Sequence, residues 1–426
     1  MSKNQQLQQR KDAVFARGMG NMAPVYVDRA KNNEIWDVEG NRFIDFAAGI
    51  AVVNTGHSHP RIVAAVNEQL QRFSHTCAMV TPYESVVALA ERLVTLAPGP
   101  TAKKAIFVTT GAEAVENAVK IARAHTKRSG IIAFNGGFHG RTNMAMGLTG
   151  KVAPYKAGFG PFPNEIYHLP YPNAYHGVTE EQSLKALDEL FHCDIEPGRV
   201  AALIIEPVQG EGGFYQAPAS FLQKLRAICD QHGIVLICDE IQTGFARTGK
   251  LFATEYAGIE PDLMTMAKGI AGGFPLSAVV GKADIMDAAN PGGLGGTYAA
   301  FPLACAAGLE VLNIIEEDQL CDRALAIGEL MNKRLSELQS KYSHHIGQVR
   351  NLGAMVAMEL VHNGDVDQPN PELTKAVVAK GIEKGVILLS CGVRGNVIRF
   401  LPALTSPLEV VSEGLDLLEQ VLCELV

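Results

Sequence analysis

No Cys-x-x-Cys spacing occurs among the eight cysteines, which stand at positions 77, 193, 229, 238, 305, 321, 391 and 423. That absence excludes a zinc ribbon, and the uneven intervals exclude a disulfide framework. Cys229, Cys238 and Cys305 lie in apolar runs, where a small buried hydrophobe is the expected role. No stretch approaches the ~18 uninterrupted apolar residues of a membrane helix. The polar opening from Met1 to Arg17 lacks the apolar centre of a secretion signal. Basic residues are also few: 37 Lys and Arg against 45 Asp and Glu leave a formal charge of −8, which speaks against a nucleic-acid footprint. With 47% hydrophobic and 19% charged residues, the chain is neither disordered nor collagen-like. These exclusions leave a cytoplasmic protein that works on small molecules, with no membrane or nucleic-acid partner.

A chain of 426 residues suggests two or three packed units at about 150 residues each. It holds no internal repeat and no low-complexity tract. Short runs rich in Val and Ile alternate with helical patterns, which predicts βαβ units around a mostly parallel sheet. Expected strands are Ala105 to Val108, Ile131 to Phe134, Ala201 to Ile205, Ile234 to Cys238 and Leu263 to Met266. After the first of these, Thr109-Thr110-Gly111 breaks the run, and Val115, Ala118, Val119 and Ala122 follow at helical spacing. The proline-bearing stretch Asn164 to His176 shows no periodicity and reads as a surface crossing. Beyond about residue 310 the texture becomes α+β. There is a charged amphipathic helix from Leu320 to Ser340, with short strands at Met355 to Leu360, Val386 to Leu389 and Val397 to Leu401. A closing helix runs from Pro407. Near the start, Glu39-Gly40-Asn41 supplies a hairpin turn. The expected layout is an N-terminal segment, 1–55, packing with a small α+β unit, 316–426, around a large α/β domain, 56–315.

Ligands of open α/β sheets bind beyond the carboxyl ends of the strands. Here one buried strand runs into Asp239-Glu240, another through Ala267 into Lys268, and a third into Glu206-Pro207. A partly buried lysine readily loses its proton, and its free amine can form a Schiff base with an aldehyde. Asp239, ending a buried strand, needs a cationic partner. A protonated pyridine nitrogen is such a partner, and keeping it protonated makes the ring an electron sink. Singly, Lys268 could cap a helix and Asp239 could begin a turn; together they point to pyridoxal phosphate. Thr109-Thr110-Gly111-Ala112, between a strand and a helix, offers helix-start N–H groups to a phosphate, although a plain N-cap turn would look the same. It matches neither the dinucleotide nor the Walker glycine pattern, which disfavours a nicotinamide or ATP enzyme.

On several blocks together, the sequence resembles the class III (ω-) aminotransferases, pyridoxal-phosphate enzymes of fold type I. The blocks are Thr110-Gly111-Ala112-Glu113-Ala114, Phe138-His139-Gly140-Arg141, Glu206 through Gly213, Asp239-Glu240-Ile241-Gln242-Thr243-Gly244, Ala267-Lys268 and Gly295-Gly296-Thr297-Tyr298. The resemblance covers essentially the whole chain and is strongest to bacterial 4-aminobutyrate aminotransferases, including the branch tied to putrescine breakdown. It implies that Lys268 carries the Schiff base and shuttles the substrate proton, and that Asp239 binds the pyridinium. Gly111 and Ala112 give N–H groups to the phosphate. Phe138 stacks on the ring, Ile241 packs on its other face, and Gln242 bonds the phenolic oxygen. For Phe138 and Ile241, ordinary core packing stays open. Thr297 reaches the phosphate of a neighbouring subunit, which implies a homodimer and leaves open a pairing of dimers into tetramers.

For substrates, the resemblance implies that Arg141 grips the carboxylate distal to the amine, as a bidentate guanidinium does well. Arg399 grips the α-carboxylate of glutamate or 2-oxoglutarate. When the substrate lacks that group, Glu211 pairs with Arg399 and so avoids a buried unpaired charge. Ile50 walls the donor chain, and Glu206 orients Arg141 from behind. An isolated Arg141 or Arg399 could equally be a surface charge. The implied reaction joins 4-aminobutyrate and 2-oxoglutarate to give succinate semialdehyde and L-glutamate. Transamination of 5-aminovalerate, ornithine or diamines, and a cofactor-binding protein without turnover, are the alternatives. No metal site is expected. The chain departs from the family pattern at Phe301, where relatives carry Asn, at Met79, at Ala112 and at Val393-Arg394.

Overall fold

The computed structural model describes all 426 residues, Met1 to Val426. Its centre is a seven-stranded sheet. From edge to edge the strands are Lys103–Val108, Ser277–Lys282, Leu263–Met266, Val235–Asp239, Val200–Ile205, Gly130–Phe134 and Ile166–Leu169. Ser277–Lys282 runs antiparallel to both neighbours and the other six are mutually parallel. Val200–Ile205 and Val235–Asp239 are buried at every position, which explains their unbroken apolar sequences: helices cover both faces, so the pattern has no reason to alternate. The parallel arrangement puts Thr109, Glu206, Asp239 and Ala267-Lys268 along one edge, Asp239 as the last residue of its strand and the others just past the ends of theirs.

The helix Gly111–Thr126 starts where glycine punctuation suggested. Thr110 caps it, accepting the Glu113 N–H, while the Glu113 carboxylate accepts the N–H groups of Thr109 and Thr110. Its apolar stripe, including Val115, Ala118, Val119 and Ala122, is buried against the sheet.

Two smaller sheets flank this unit. Val27–Lys31, Glu34–Asp37 and Arg42–Asp45 form an antiparallel meander whose last turn needs Gly40 at φ 88°. Arg42–Asp45 also pairs in parallel with Val386–Ile387, so the first and last parts of the chain share a sheet. The other sheet joins Ile346–Leu352, Met355–His362, Val397–Phe400 and Leu389–Cys391, and Asp365–Pro369 pairs with Met355–His362. Arg399 stands in it between Ala357 and Leu389. No helix is long and apolar enough to cross a membrane.

Two expectations need correction. The stretch 164–176 is more than a surface crossing: Ile166–Leu169 is an edge strand parallel to Gly130–Phe134, with Leu169 and Tyr171 buried. Pro170 and Pro172 stop it after four residues, too few for a readable period. Val386 to Leu389 is not one strand either. The chain changes sheets at Leu388, because Leu389–Cys391 pairs with Val397–Phe400 instead. An apolar run signals extended backbone but does not name its partner.

Candidate active site

A cavity of about 360 Å³ opens at the carboxyl edge of the central sheet, lined by the start of the helix at Gly111, by the strand ends at Asp239 and Lys268, and by Phe138, Ile241 and Gln242. By position, the N–H groups of Gly111 and Ala112 have no acceptor within their own helix, and they face the cavity with the positive end of its dipole. Glycine keeps the space open there: a Cβ on Gly111 would lie 2.9 Å from Ile241 Cδ1 and push that side chain aside.

Asp239 is held from three sides. His139 Nδ1 lies 2.7 Å from Oδ2, while the Thr265 hydroxyl and the Ile241 N–H donate to Oδ1 at 2.9 and 3.2 Å. Asp239 and His139 are each only 2% exposed. Burial works against charge on His139, but the bond to Asp239 prevails and raises its pKa. Nearby Glu206 accepts from the Phe138 N–H at 2.9 Å and the Gly210 N–H at 3.0 Å. Burial pushes its carboxyl up to about 7, with the His139 charge opposing. With its oxygens bonded in this way, Glu206 lines the cavity but makes no ion pair with Arg141, so the expected support from behind Arg141 is absent.

Lys268 opens a single 3₁₀ turn, Lys268–Ala271, directly after the strand Leu263–Met266 and Ala267. Its φ of 49° is unusual for a residue with a side chain and aims the amine at the cavity wall. Desolvation lowers that amine to about 8, with Glu211 pulling the other way. About a tenth is therefore neutral and nucleophilic at about pH 7.

Beyond the cavity lie the carboxylate-binding candidates. Arg399, 2% exposed, pairs with Glu211, which is itself only 9% exposed. Burial alone would raise the Glu211 carboxyl, yet the Arg399 charge holds it below the ordinary value. Arg141 is exposed and forms no ion pair; its guanidinium sits 4.8 Å above the Tyr155 ring. Ile50 is 37% exposed with φ 68°, beside cavity-lining Val52. Thr297 is exposed and outside the cavity of its own chain.

Three residues that contact these groups were missed from the sequence. His139 was part of a quoted motif, and a histidine beside a cavity aromatic was the available hint. Thr265 looked like an ordinary strand residue. Tyr155 lies in an aperiodic loop that gave no signal at all.

A model of the family described as Aminotransferase class-III matches residues 14–422. The chain belongs to the class-III aminotransferases. It is 54% identical over 426 residues to the 5-aminovalerate aminotransferase DavT of Pseudomonas aeruginosa, covering 100% of both chains. With the 4-aminobutyrate aminotransferase GabT of Escherichia coli it shares 51% over 420 residues, covering 99% of this chain and 98% of that one. A solved Bacillus anthracis aminotransferase superposes with a TM-score of 0.92 over 100% of both chains at 28% identity. Class-III aminotransferases are fold type I enzymes that depend on pyridoxal phosphate. This aminotransferase's cavity fits that cofactor on three counts. Its volume suits a small ligand. The helix start leaves two backbone donors, Gly111 and Ala112, for a phosphate. Gln242, 6% exposed, carries a buried Oε1 with no hydrogen-bond partner and lines the same space.

Proposed function

We propose that this aminotransferase moves the amino group of 4-aminobutyrate to 2-oxoglutarate, giving succinate semialdehyde and L-glutamate. The observation that carries this reading is the buried Glu211–Arg399 ion pair. A site for glutamate needs a cation for the α-carboxylate, and a site for an ω-amino acid needs that cation neutralised. Glu211 supplies the neutralising charge when the substrate has only one carboxylate and yields to the second carboxylate of glutamate. Arg141, free of any ion pair, is the guanidinium for the carboxylate common to both substrates. Ile50 lies along the methylene chain, and Glu206 closes the same side of the cavity while holding the backbone of Phe138.

Pyridoxal phosphate supplies an aldehyde for amines and, when its ring is cationic, a sink for the electrons left by a departing proton. The chain's own groups do the rest. Lys268 Nζ would hold the cofactor through its aldehyde and, as a free amine, would carry the proton to and from the substrate carbon. Asp239, oriented by His139 and Thr265, keeps the ring nitrogen protonated. Gly111 and Ala112 would bind the phosphate through backbone N–H groups, Gln242 would bond the phenolic oxygen, and Phe138 and Ile241 would flank the ring. Thr297 lies outside its own cavity, which supports a homodimer in which it reaches the phosphate of the second subunit.

The second reading is 5-aminovalerate, the substrate in the name of the Pseudomonas aeruginosa relative. The two donors differ by one methylene, which an apolar wall separates by only about 1–3 kcal/mol. Diamines fit less well, because a diamine leaves Arg141 without a carboxylate. The test is a donor panel assayed for glutamate formed from 2-oxoglutarate. The highest kcat/KM is expected with 4-aminobutyrate; a higher value with 5-aminovalerate replaces the proposal with the second reading.

A further inference from the structure

Between the two arginines lies a residue with no assigned role. Tyr155, 8% exposed, donates its hydroxyl to Glu211 Oε2 at 2.8 Å, while Oε1 of the same carboxylate meets Arg399. The face of its ring carries the Arg141 guanidinium at 4.8 Å, and Phe138 packs against it at 4.8 Å. One side chain thus touches the clamp for the common carboxylate and the group that guards the clamp for the second one.

The surroundings separate what can move from what cannot. The main chain of Glu211 is fixed: its carbonyl accepts the Gly392 N–H at 3.0 Å, and the Gly392 carbonyl accepts from Lys151 Nζ at 2.8 Å. Nearby, Arg350 Nε holds the Gly213 carbonyl at 2.8 Å while its Nη1 donates to Glu359 at 2.8 Å. With the backbone braced on both sides, departure from Arg399 is a rotation of the Glu211 side chain alone. Only two side-chain bonds oppose that rotation, one to Arg399 and one to Tyr155. Burial and the neighbouring carboxylate keep the phenol protonated, so its hydroxyl remains a donor.

We infer that Tyr155 is a positioning residue that latches Glu211 onto Arg399, so that its hydroxyl sets the balance between monocarboxylate and dicarboxylate substrates. The inference rests on the reading of Glu211 and Arg399 as a charge switch. Its two contacts have separable consequences. Removing the hydroxyl loosens Glu211 and favours molecules with two carboxylates. Removing the ring as well unseats Arg141 and weakens binding of every carboxylate.

The test is calorimetric titration of the holoenzyme with two unreactive ligands, glutarate (two carboxylates) and butyrate (one). Four proteins are compared: wild type, Tyr155→Phe, Glu211→Ser and the double variant. Loss of a hydrogen bond to a charged group should tighten glutarate about tenfold in Tyr155→Phe and leave butyrate within about twofold. In the Glu211→Ser background, Tyr155→Phe should change neither, because the latch has nothing left to hold. Tyr155→Leu should weaken both ligands. The inference is overturned if Tyr155→Phe leaves the glutarate-to-butyrate ratio unchanged, or changes it equally with and without Glu211. The outcomes also distinguish the two ideas. If Glu211→Ser shifts the ratio and Tyr155→Phe does not, the latch alone is wrong. If Glu211→Ser leaves the ratio unchanged, the switch itself is wrong.

Discussion

The site has two ends built on opposite principles. At the cofactor end, Asp239 is fixed by three donors, Glu206 by two backbone N–H groups and Lys268 by a strained backbone position, all at the edge of one sheet. At the carboxylate end, Glu211 comes from a loop after the central sheet, Arg399 from the C-terminal sheet, and Arg141 and Tyr155 from irregular segments. The first end serves the same chemistry in both half-reactions and needs no alternative arrangement. Under the proposed function the second accepts molecules of different charge in turn, and its central ion pair is the one that a substrate would replace. Rigidity and replaceability are thus divided between elements of different origin.

Breaking the fixed end should have the larger effects. Lys268→Ala should abolish multiple turnover, a loss of at least about 10⁴-fold in kcat measured with either donor, while pyridoxal phosphate still binds noncovalently. Asp239→Asn leaves shape but removes the charge for the ring nitrogen, and kcat should fall about 10³-fold on 4-aminobutyrate and glutamate alike. A loss confined to one donor would show that the two ends are not separable.

The buried carboxyl of Glu206 gives a stability test of the same end. Its folded pKa, about 7, lies above the ordinary 4.5, so between these values the folded protein keeps a proton that the unfolded chain has lost. Stability contributed by this group is therefore full below about 4.5 and declines as pH rises toward 7. Glu206→Gln should remove that slope, a pH-dependent change of up to about 3 kcal/mol across the window in chemical-denaturation measurements.

At the replaceable end the effects should be smaller and selective. Glu211→Ser should lower kcat/KM for 4-aminobutyrate about ten- to thirtyfold more than for glutamate, read from the two half-reactions separately. Smaller still is the kinetic signature of Lys268 in the apoprotein. Its amine is lowered to about 8, so the rate of covalent capture of pyridoxal phosphate should rise with pH up to that value and then level off. A rise continuing toward 10.5 would mean an ordinary, solvated lysine.

The two ends also differ in how far the sequence reveals them. Asp239, Lys268 and Gly111 were singled out because a charge or a glycine stands out at or after the end of a strand, and all three line the same cavity. The central strands were legible from their apolar runs. His139, by contrast, meets Asp239 across 100 positions of chain, and nothing local announces the contact. Tyr155 reaches Glu211 across 56 positions from a loop without periodicity. Glu206 was placed at the site, yet its partners turned out to be backbone N–H groups, which leave no trace in side-chain identity. Sheet membership was hidden in the same way: Ile387 and Leu389 are two residues apart and belong to different sheets.

The division between fixed and replaceable ends is tested most directly by a crystal structure of the holoenzyme with glutarate bound. The Glu211 side chain is expected to have left Arg399, which then holds the second carboxylate, while His139 Nδ1 stays about 2.7 Å from Asp239. Glutarate seated with Glu211 still paired to Arg399, or with Asp239 displaced from His139, would contradict it.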